Sequence, residues 1–321
     1  MSEEGQFNHH GVESPLPVTV VIPCYNMAWC LERAVRSCFE QSLGRPRIII
    51  VDDGSTDQTA TLAKAMERDH EELLYLKQSK NQGHLSALTA GMQAATTQWV
   101  ALLDADDQLT PDSLEYRLHA AQEFLQSHGE LPGLIYGNLD RVTSAKKVRR
   151  EYFKPIKGHD LPYLLKELSL CQTSTIMLSK QATAKVFGIK NVYNTDDEIV
   201  LAVAKEFPLL HCGETVTVAH DHESPSRMTG NAFRRLRGIT QLVRHHQFNI
   251  LRTHGLKRLF LWYLRVFRVG LEWQMQIYSQ SILSGYATEP SKTKEAYRNL
   301  LISWHRKLSK YLKEQFENLY F

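Results

Sequence analysis

Short apolar runs alternate with amphipathic stretches over the first 130 residues. Residues 18–22 (VTVVI) are β-branched and apolar, and predict a buried strand that stops at Pro23. Residues 28–41 carry Leu31, Ala34, Val35, Cys38 and Phe39 at helical spacing. Residues 47–51 (RIIIV) predict a second buried strand, closed by a turn and helix cap at Asp52-Asp53-Gly54-Ser55. A helix over 56–70, a strand over 73–76, a helix over 86–95 and a strand over 99–103 follow. Thr110-Pro111-Asp112 then opens another helix, with Pro in its first turn. Strand and helix alternate at βαβ spacing, which predicts a mostly parallel, doubly wound sheet with helices on both faces.

Past Gly133 the pattern loosens. Strands are expected at 134–137, 171–178 and 216–220, a basic hairpin within 141–153 and a helix over 196–207. From Asn231 onward the chain reads as almost wholly helical.

Composition narrows the class. A length of 321 residues allows one large α/β domain with a smaller appendage. A net charge of +3 is too small to argue for nucleic acid. Five cysteines (Cys24, Cys30, Cys38, Cys171 and Cys212), with no Cys-x-x-Cys pair, argue for free thiols over a disulfide framework or a zinc site. The polar start, MSEEGQFNHHGVESPLP, has neither a signal-peptide core nor an anchor, and no apolar run reaches eighteen residues. Gly-x-Gly-x-x-Gly and Gly-Lys-Ser/Thr loops are absent, which disfavours a dehydrogenase and a P-loop enzyme.

The chemistry sits at the predicted strand ends. Ligands of open α/β sheets bind beyond the carboxyl ends of the strands. Asp52, Asp53 and Asp57 follow one strand, and Asp104, Asp106 and Asp107 follow another. Clustered carboxylates repel, so they imply a cation or a set of donors. Mg2+ or Mn2+, completed by substrate phosphates, is the simplest cation.

These residues resemble family 2 glycosyltransferases. Val20-Val21-Ile22-Pro23-Cys24-Tyr25-Asn26, Ile50-Val51-Asp52-Asp53-Gly54-Ser55-Thr56-Asp57 and Leu102-Leu103-Asp104-Ala105-Asp106-Asp107 occur in family order and spacing. The resemblance is clear over 17–130 and weaker to 226. It implies a GT-A fold, a nucleotide-diphosphate sugar donor (a UDP-sugar foremost), Mn2+ or Mg2+, and inversion at the anomeric carbon. Pro23, Tyr25 and Asp52 would border base and ribose. Asp53 would lie beside them or cap the following helix. Asn81 and Gly83 match a donor-side segment. Asp106 would ligate the metal, with Asp104 on ribose or a metal-bound water, and Asp107 would hold sugar hydroxyls or cap the next helix. His222, in His220-Asp221-His222-Glu223-Ser224-Pro225-Ser226, matches a histidine near the metal or diphosphate. Thr195-Asp196-Asp197-Glu198 matches the acidic pair that carries the catalytic base. Asp197 is assigned as base, with Asp196 and Glu198 as adjacent alternatives. Many members carry Arg-Asn where this chain has Leu88-Thr89, which leaves donor contacts there open.

The expected organisation is a flexible 1–16, a catalytic domain over 17–226 (nucleotide part 17–130, acceptor part 131–226) and a basic helical region over 227–316. Residues 317–321 (ENLYF) resemble the remnant of an engineered protease tag. From Ser224 to Leu271 there are ten Lys or Arg and no Asp or Glu. A basic amphipathic surface of that kind suits anionic lipid headgroups, and equally an ordinary helical subdomain with solvated basic faces. The acceptor is then expected to be a glycan or lipid-linked molecule in bacterial surface polysaccharide or lipopolysaccharide synthesis. The expected location is the cytoplasm, at the inner face of the membrane where contact is made. No nucleic-acid partner is expected, and the sequence leaves the oligomeric state open. A degenerate binding or scaffold subunit, and a nucleotidyltransferase of similar fold, are the alternatives.

Overall fold

The computed structural model describes residues 16–167, 170–189, 194–222 and 232–283, with backbone alone at 232–235 and 271–283. Residues 1–15 of the expected flexible start (1–16), the segment 223–226, the helical region past 283 and the ENLYF end lie outside these residues, and Leu16 is buried. The chain forms two compact units, residues 1–264 and 265–321. The first holds the whole sheet.

That sheet begins with β1 (Val18–Cys24), β2 (Arg47–Asp52), β3 (Leu73–Lys77) and β4 (Trp99–Leu102), all mutually parallel in the order β3-β2-β1-β4. Helices α1 (Leu31–Phe39), α2 (Thr59–Asp69) and α3 (His84–Ala94) connect them. β1 and β4 are buried along their whole lengths, as their apolar runs predict for parallel strands covered on both faces. β1 runs past Pro23 to Cys24. Its pairing with β4 stops at Val21, so the missing Pro23 N–H lies beyond that ladder.

The second half departs from simple winding. β5 (Gln108–Leu109) precedes α4 (Ser113–His128), so Pro111 stands before the helix and outside its first turn. β6 (Leu134–Val142) forms the expected hairpin with β7 (Val148–Glu151). After β8 (Lys157–Gly158) and α5 (Leu161–Glu167), the apolar stretch at 171–178 divides. Thr173–Thr175 make a 3-10 turn, and only β9 (Met177–Ser179) is strand. β9 inserts antiparallel between β4 and β6. Short α6 (Lys180–Thr183) and α7 (Thr195–Ala204) lead to β10 (Leu209–His220), parallel to β6.

α8 (Ala232–Leu283) is interrupted at Gly255, where φ is 72° and ψ 177°. Leu236, Ile239, Leu242, Val243 and Ile250 of its first segment are buried, so that segment packs as part of the unit holding the sheet. No described helix is long and apolar enough to cross a membrane. All five cysteines are free.

Gly91 sets the distance between α3 and the sheet. A Cβ there would stand 2.3 Å from Val21 Cγ1 and 3.1 Å from Val51 Cγ2. Gly91→Ala should therefore lower stability by about 1–3 kcal/mol through overpacking, outweighing the gain in helix propensity. Urea denaturation would register this as a lower midpoint at constant slope. A raised midpoint would mean that the gap has room for a methyl group.

Candidate functional site

The parallel strands bring their carboxyl ends to one edge, but the acids found there divide into two sets. At the end of β2 the carboxylates build the scaffold. Asp52 is fully buried. Its Oδ1 accepts from Ser55 N at 2.7 Å, and its Oδ2 accepts from the Tyr75 hydroxyl at 2.7 Å. Asp53 accepts from two backbone amides, Gln82 N on Oδ1 and Gly83 N on Oδ2, both at 2.7 Å. It therefore holds the entry to α3 and not, as the alternative reading had it, the helix that follows it. Gly54, at φ 74°, lets this turn lie against the 80–81 backbone, where a Cβ would meet Lys80 C at 2.7 Å.

Asn26 laces this turn to the end of β1. Its backbone is left-handed (φ 56°), and its Oδ1 accepts from Thr56 N at 2.8 Å. Asp57 accepts from Thr59 N at 2.9 Å and Ala28 N at 3.2 Å, which holds its carboxyl below the usual range against the opposing effect of burial. Helix α2 starts only at Thr59, so Asp52 to Ser55 form a turn without capping it. Pro23 is buried, Tyr25 half-buried and Asn81 exposed along the same edge.

The second set follows β4. Asp104, Asp106 and Asp107 each offer an oxygen within 4.8 Å of the others. Each also has a protein partner. His84 Nε2 lies 2.7 Å from Asp104 Oδ1, and His222 Nε2 lies 2.6 Å from Asp106 Oδ2. Asp107 accepts from Ser174 Oγ at 2.6 Å and from His220 N at 3.4 Å, and it caps no helix. Burial, then the charges of Asp106 and Asp104, push its carboxyl up to about 8. That shift reports a negative field with too little compensation, which a hard cation with oxygen ligands would relieve. Arg33 donates from Nη2 to the Asp106 carbonyl at 2.6 Å, and Trp29 sets its ring edge-on to His222 at 4.9 Å.

Ser174, Arg33, His84 and Trp29 were not singled out from the sequence. Ser174 is held where it is by the 3-10 turn and by Thr217, whose Oγ1 donates to its carbonyl at 2.7 Å. His84 alone stood in a motif that sequence reasoning had isolated, one residue past Gly83.

On α7 the three consecutive acids have different environments. Asp197 is 8% exposed, and its Oδ2 accepts from Asn194 Nδ2 at 2.9 Å. Glu198 accepts from His245 Nδ1 at 3.0 Å and His246 Nε2 at 3.1 Å, both on α8. The Asp196 carboxyl senses the charge of Asp104. Burial and the charge of Asp104 raise it, while backbone amides and His84 act in the opposite sense.

A model of glycosyl transferase family 2 matches residues 19–187. The amylovoran biosynthesis glycosyltransferase AmsB of Erwinia amylovora is 28% identical over 193 residues, covering 58% of this chain and 64% of AmsB. The chain thus spans just under two thirds of that relative. Among solved structures, TarS (residues 1–349) of S. aureus with UDP-GlcNAc aligns at a TM-score of 0.52 and 16% identity, covering 86% of this chain and 77% of that one. The mannosyltransferase PcManGT of Pyrobaculum calidifontis, in complex with GDP-Man and Mn2+, aligns at 0.54 and 17%, covering 92% and 89%. At these identities the likeness to both structures is one of fold: α/β with a central, mostly parallel sheet of GT-A type.

The raised carboxyl of Asp107 has a stability consequence. A carboxyl above its ordinary value of roughly 3.9 stabilises the fold in its protonated form. That contribution is full below about pH 4 and is lost as pH rises through about 8. Asp107→Asn, which cannot ionise, should be at least about 1 kcal/mol more stable than the unaltered chain at pH 8, with the gap closing toward pH 4. Urea titrations in chelator at both pH values would test this, and an equal gap at both would refute it.

Proposed function

The chain belongs to glycosyl transferase family 2, and we propose that it moves a sugar from a nucleotide-diphosphate donor to a hydroxyl of a glycan or lipid-linked acceptor, with inversion and with Asp196 as the base. One observation carries the choice of base: the Asp196 carboxyl lies within electrostatic reach of Asp104 and His84. Asp197, the base expected from the sequence, is the alternative, and its surroundings differ from those of Asp196. Asp197 is buried and bonded to Asn194, and Glu198 is engaged by two histidines.

Inversion requires a carboxylate on the face of the sugar opposite the departing diphosphate. In this reading Asp196 takes the acceptor hydroxyl proton while the oxygen bonds to the anomeric carbon and the bond to the diphosphate breaks. Its environment supports the role, since burial and the Asp104 charge raise its basicity. Asp104, Asp106 and Asp107, with His222, would hold Mn2+ or Mg2+, which when bound supplies positive charge for the leaving diphosphate. Pro23, Tyr25, Asn81 and Gly83 would line the nucleotide side. Asp52 and Asp53 would act there chiefly through the loops they pin. A UDP-sugar is the favoured donor, with a GDP-sugar next, as the ligands of the two aligned structures suggest.

Two measurements test this reading. In a thermal-shift screen, UDP or GDP with Mn2+ at a hundred times Kd should add about 2.7 kcal/mol of apparent stability. Chelator or Asp106→Ala should abolish the shift, and a shift unaffected by either would sink the metal assignment. Asp196→Asn should reduce turnover by a factor of about 100 or more while leaving nucleotide binding nearly unchanged. Asp197→Asn should cost less than about tenfold, and the reverse ranking would return the base to Asp197.

The acceptor side of the proposal extends to the membrane. Past Gly255, α8 exposes Leu256, Phe260, Leu261 and Leu264, each 43–45% accessible, beside exposed Lys257. An apolar stripe with basic neighbours suits an anionic bilayer at the cytoplasmic face. The chain should co-sediment with phosphatidylglycerol vesicles and not with phosphatidylcholine vesicles. The double change Phe260→Asp, Leu264→Asp should abolish this, and unaltered binding by that variant would rule the stripe out.

A further inference from the structure

We propose that His84 is a positioning residue of the transfer reaction, a strut that spans two strand ends and orients Asp104 for the donor. The proposal rests on the glycosyl-transfer reading above.

The geometry begins with Asp53. Its two oxygens hold the amides of Gln82 and Gly83, so the backbone entering His84 is fixed to the end of β2. The ring of His84 is fixed at the other side, with Nε2 2.7 Å from Asp104 Oδ1 at the end of β4. β1 lies between β2 and β4 in the sheet. The path from Asp53 through His84 to Asp104 therefore crosses two strand spacings, roughly 10 Å. It ties the scaffold acids to the acids of the candidate metal site.

The placement of His84 is costly by local rules. It opens α3, where the positive end of the helix dipole disfavours a cation. Its Nδ1 is buried and has no protein partner. Among the described residues, the ring's hydrogen bond is the one at Nε2. A local rule broken in this way marks a functional position more often than a packing one. With Oδ1 engaged by His84, Asp104 keeps its second oxygen for the donor. His84 also lies within electrostatic reach of Asp196.

The test uses the Nε2 position. Gln places an amide nitrogen near the site of Nε2, whereas Asn is too short to reach Asp104. Binding of UDP and of GDP, each with Mn2+, is measured by calorimetry, and steady-state kinetics are run with whichever nucleotide's sugar is turned over. His84→Ala and His84→Asn should raise the nucleotide Kd and the donor KM by about tenfold, the usual effect of a lost charge-assisted hydrogen bond. His84→Gln should stay within about threefold, and the acceptor KM should not move. An unaltered chain that binds nucleotide, with His84→Ala within twofold of it, would overturn this proposal alone. So would Asn restoring binding as well as Gln, since that would reduce His84 to a space-filler. Failure of the unaltered chain to bind either nucleotide would overturn the transfer reading and this proposal with it.

Discussion

Like charges crowded at the rim of one parallel sheet are the constraint to which the rest of this structure answers. Seven carboxylates, from Asp52 to Asp107 and Asp196, lie along or near the same edge, and uncompensated carboxylates at that density would repel and protonate. The chain gives most of them a dedicated donor. Asp52 takes Ser55 and Tyr75, Asp53 takes two amides, Asp57 takes three donors, Asp104 takes His84, and Asp106 takes His222. Where compensation falls short, at Asp107, burial and the neighbouring charges push the carboxyl up.

This distribution separates construction from chemistry. The donors at the end of β2 are mostly backbone amides from nearby turns, so Asp52, Asp53 and Asp57 fix the loops at that strand end. The side-chain partners after β4 are imidazoles and a hydroxyl, which can give way to a ligand at smaller structural cost. A cation and a diphosphate would find three oxygens within 4.8 Å there, already oriented. Preorganisation of that kind reduces what binding must spend on reorganisation.

The helix that carries the proposed base is steadied from behind. Glu198 lies two residues past Asp196, so it points to nearly the opposite side of α7. There it meets His245 and His246 of α8. The first segment of α8 thus braces α7, while the second exposes its apolar and basic side chains. One element serves both as a wall of the fold and as the surface offered to lipid in the proposed reading.

Much of this was legible without coordinates. Strand and helix alternation predicted the parallel body, because buried parallel strands need continuous apolar runs and show them at 18–22, 47–51 and 99–103. The acidic strand ends were visible because sheet topology fixes where such ends meet. What the sequence alone could not decide was partnership. It placed Asp52 and Asp53 among the donor-side residues, and only the fold showed their oxygens bonded to Tyr75 and to two amides 29 and 30 residues further on. It assigned the base to Asp197 with two adjacent acids as alternatives, and spacing along a helix does not say which face meets the cleft. It passed over Ser174 and Arg33, whose residue types are common and whose partners are 67 and 73 residues away. Local pattern determined the elements and the edge on which the chemistry lies. Which carboxylate holds the scaffold and which is left for a ligand depends on long-range hydrogen bonds, and those exist only once the chain has closed on itself.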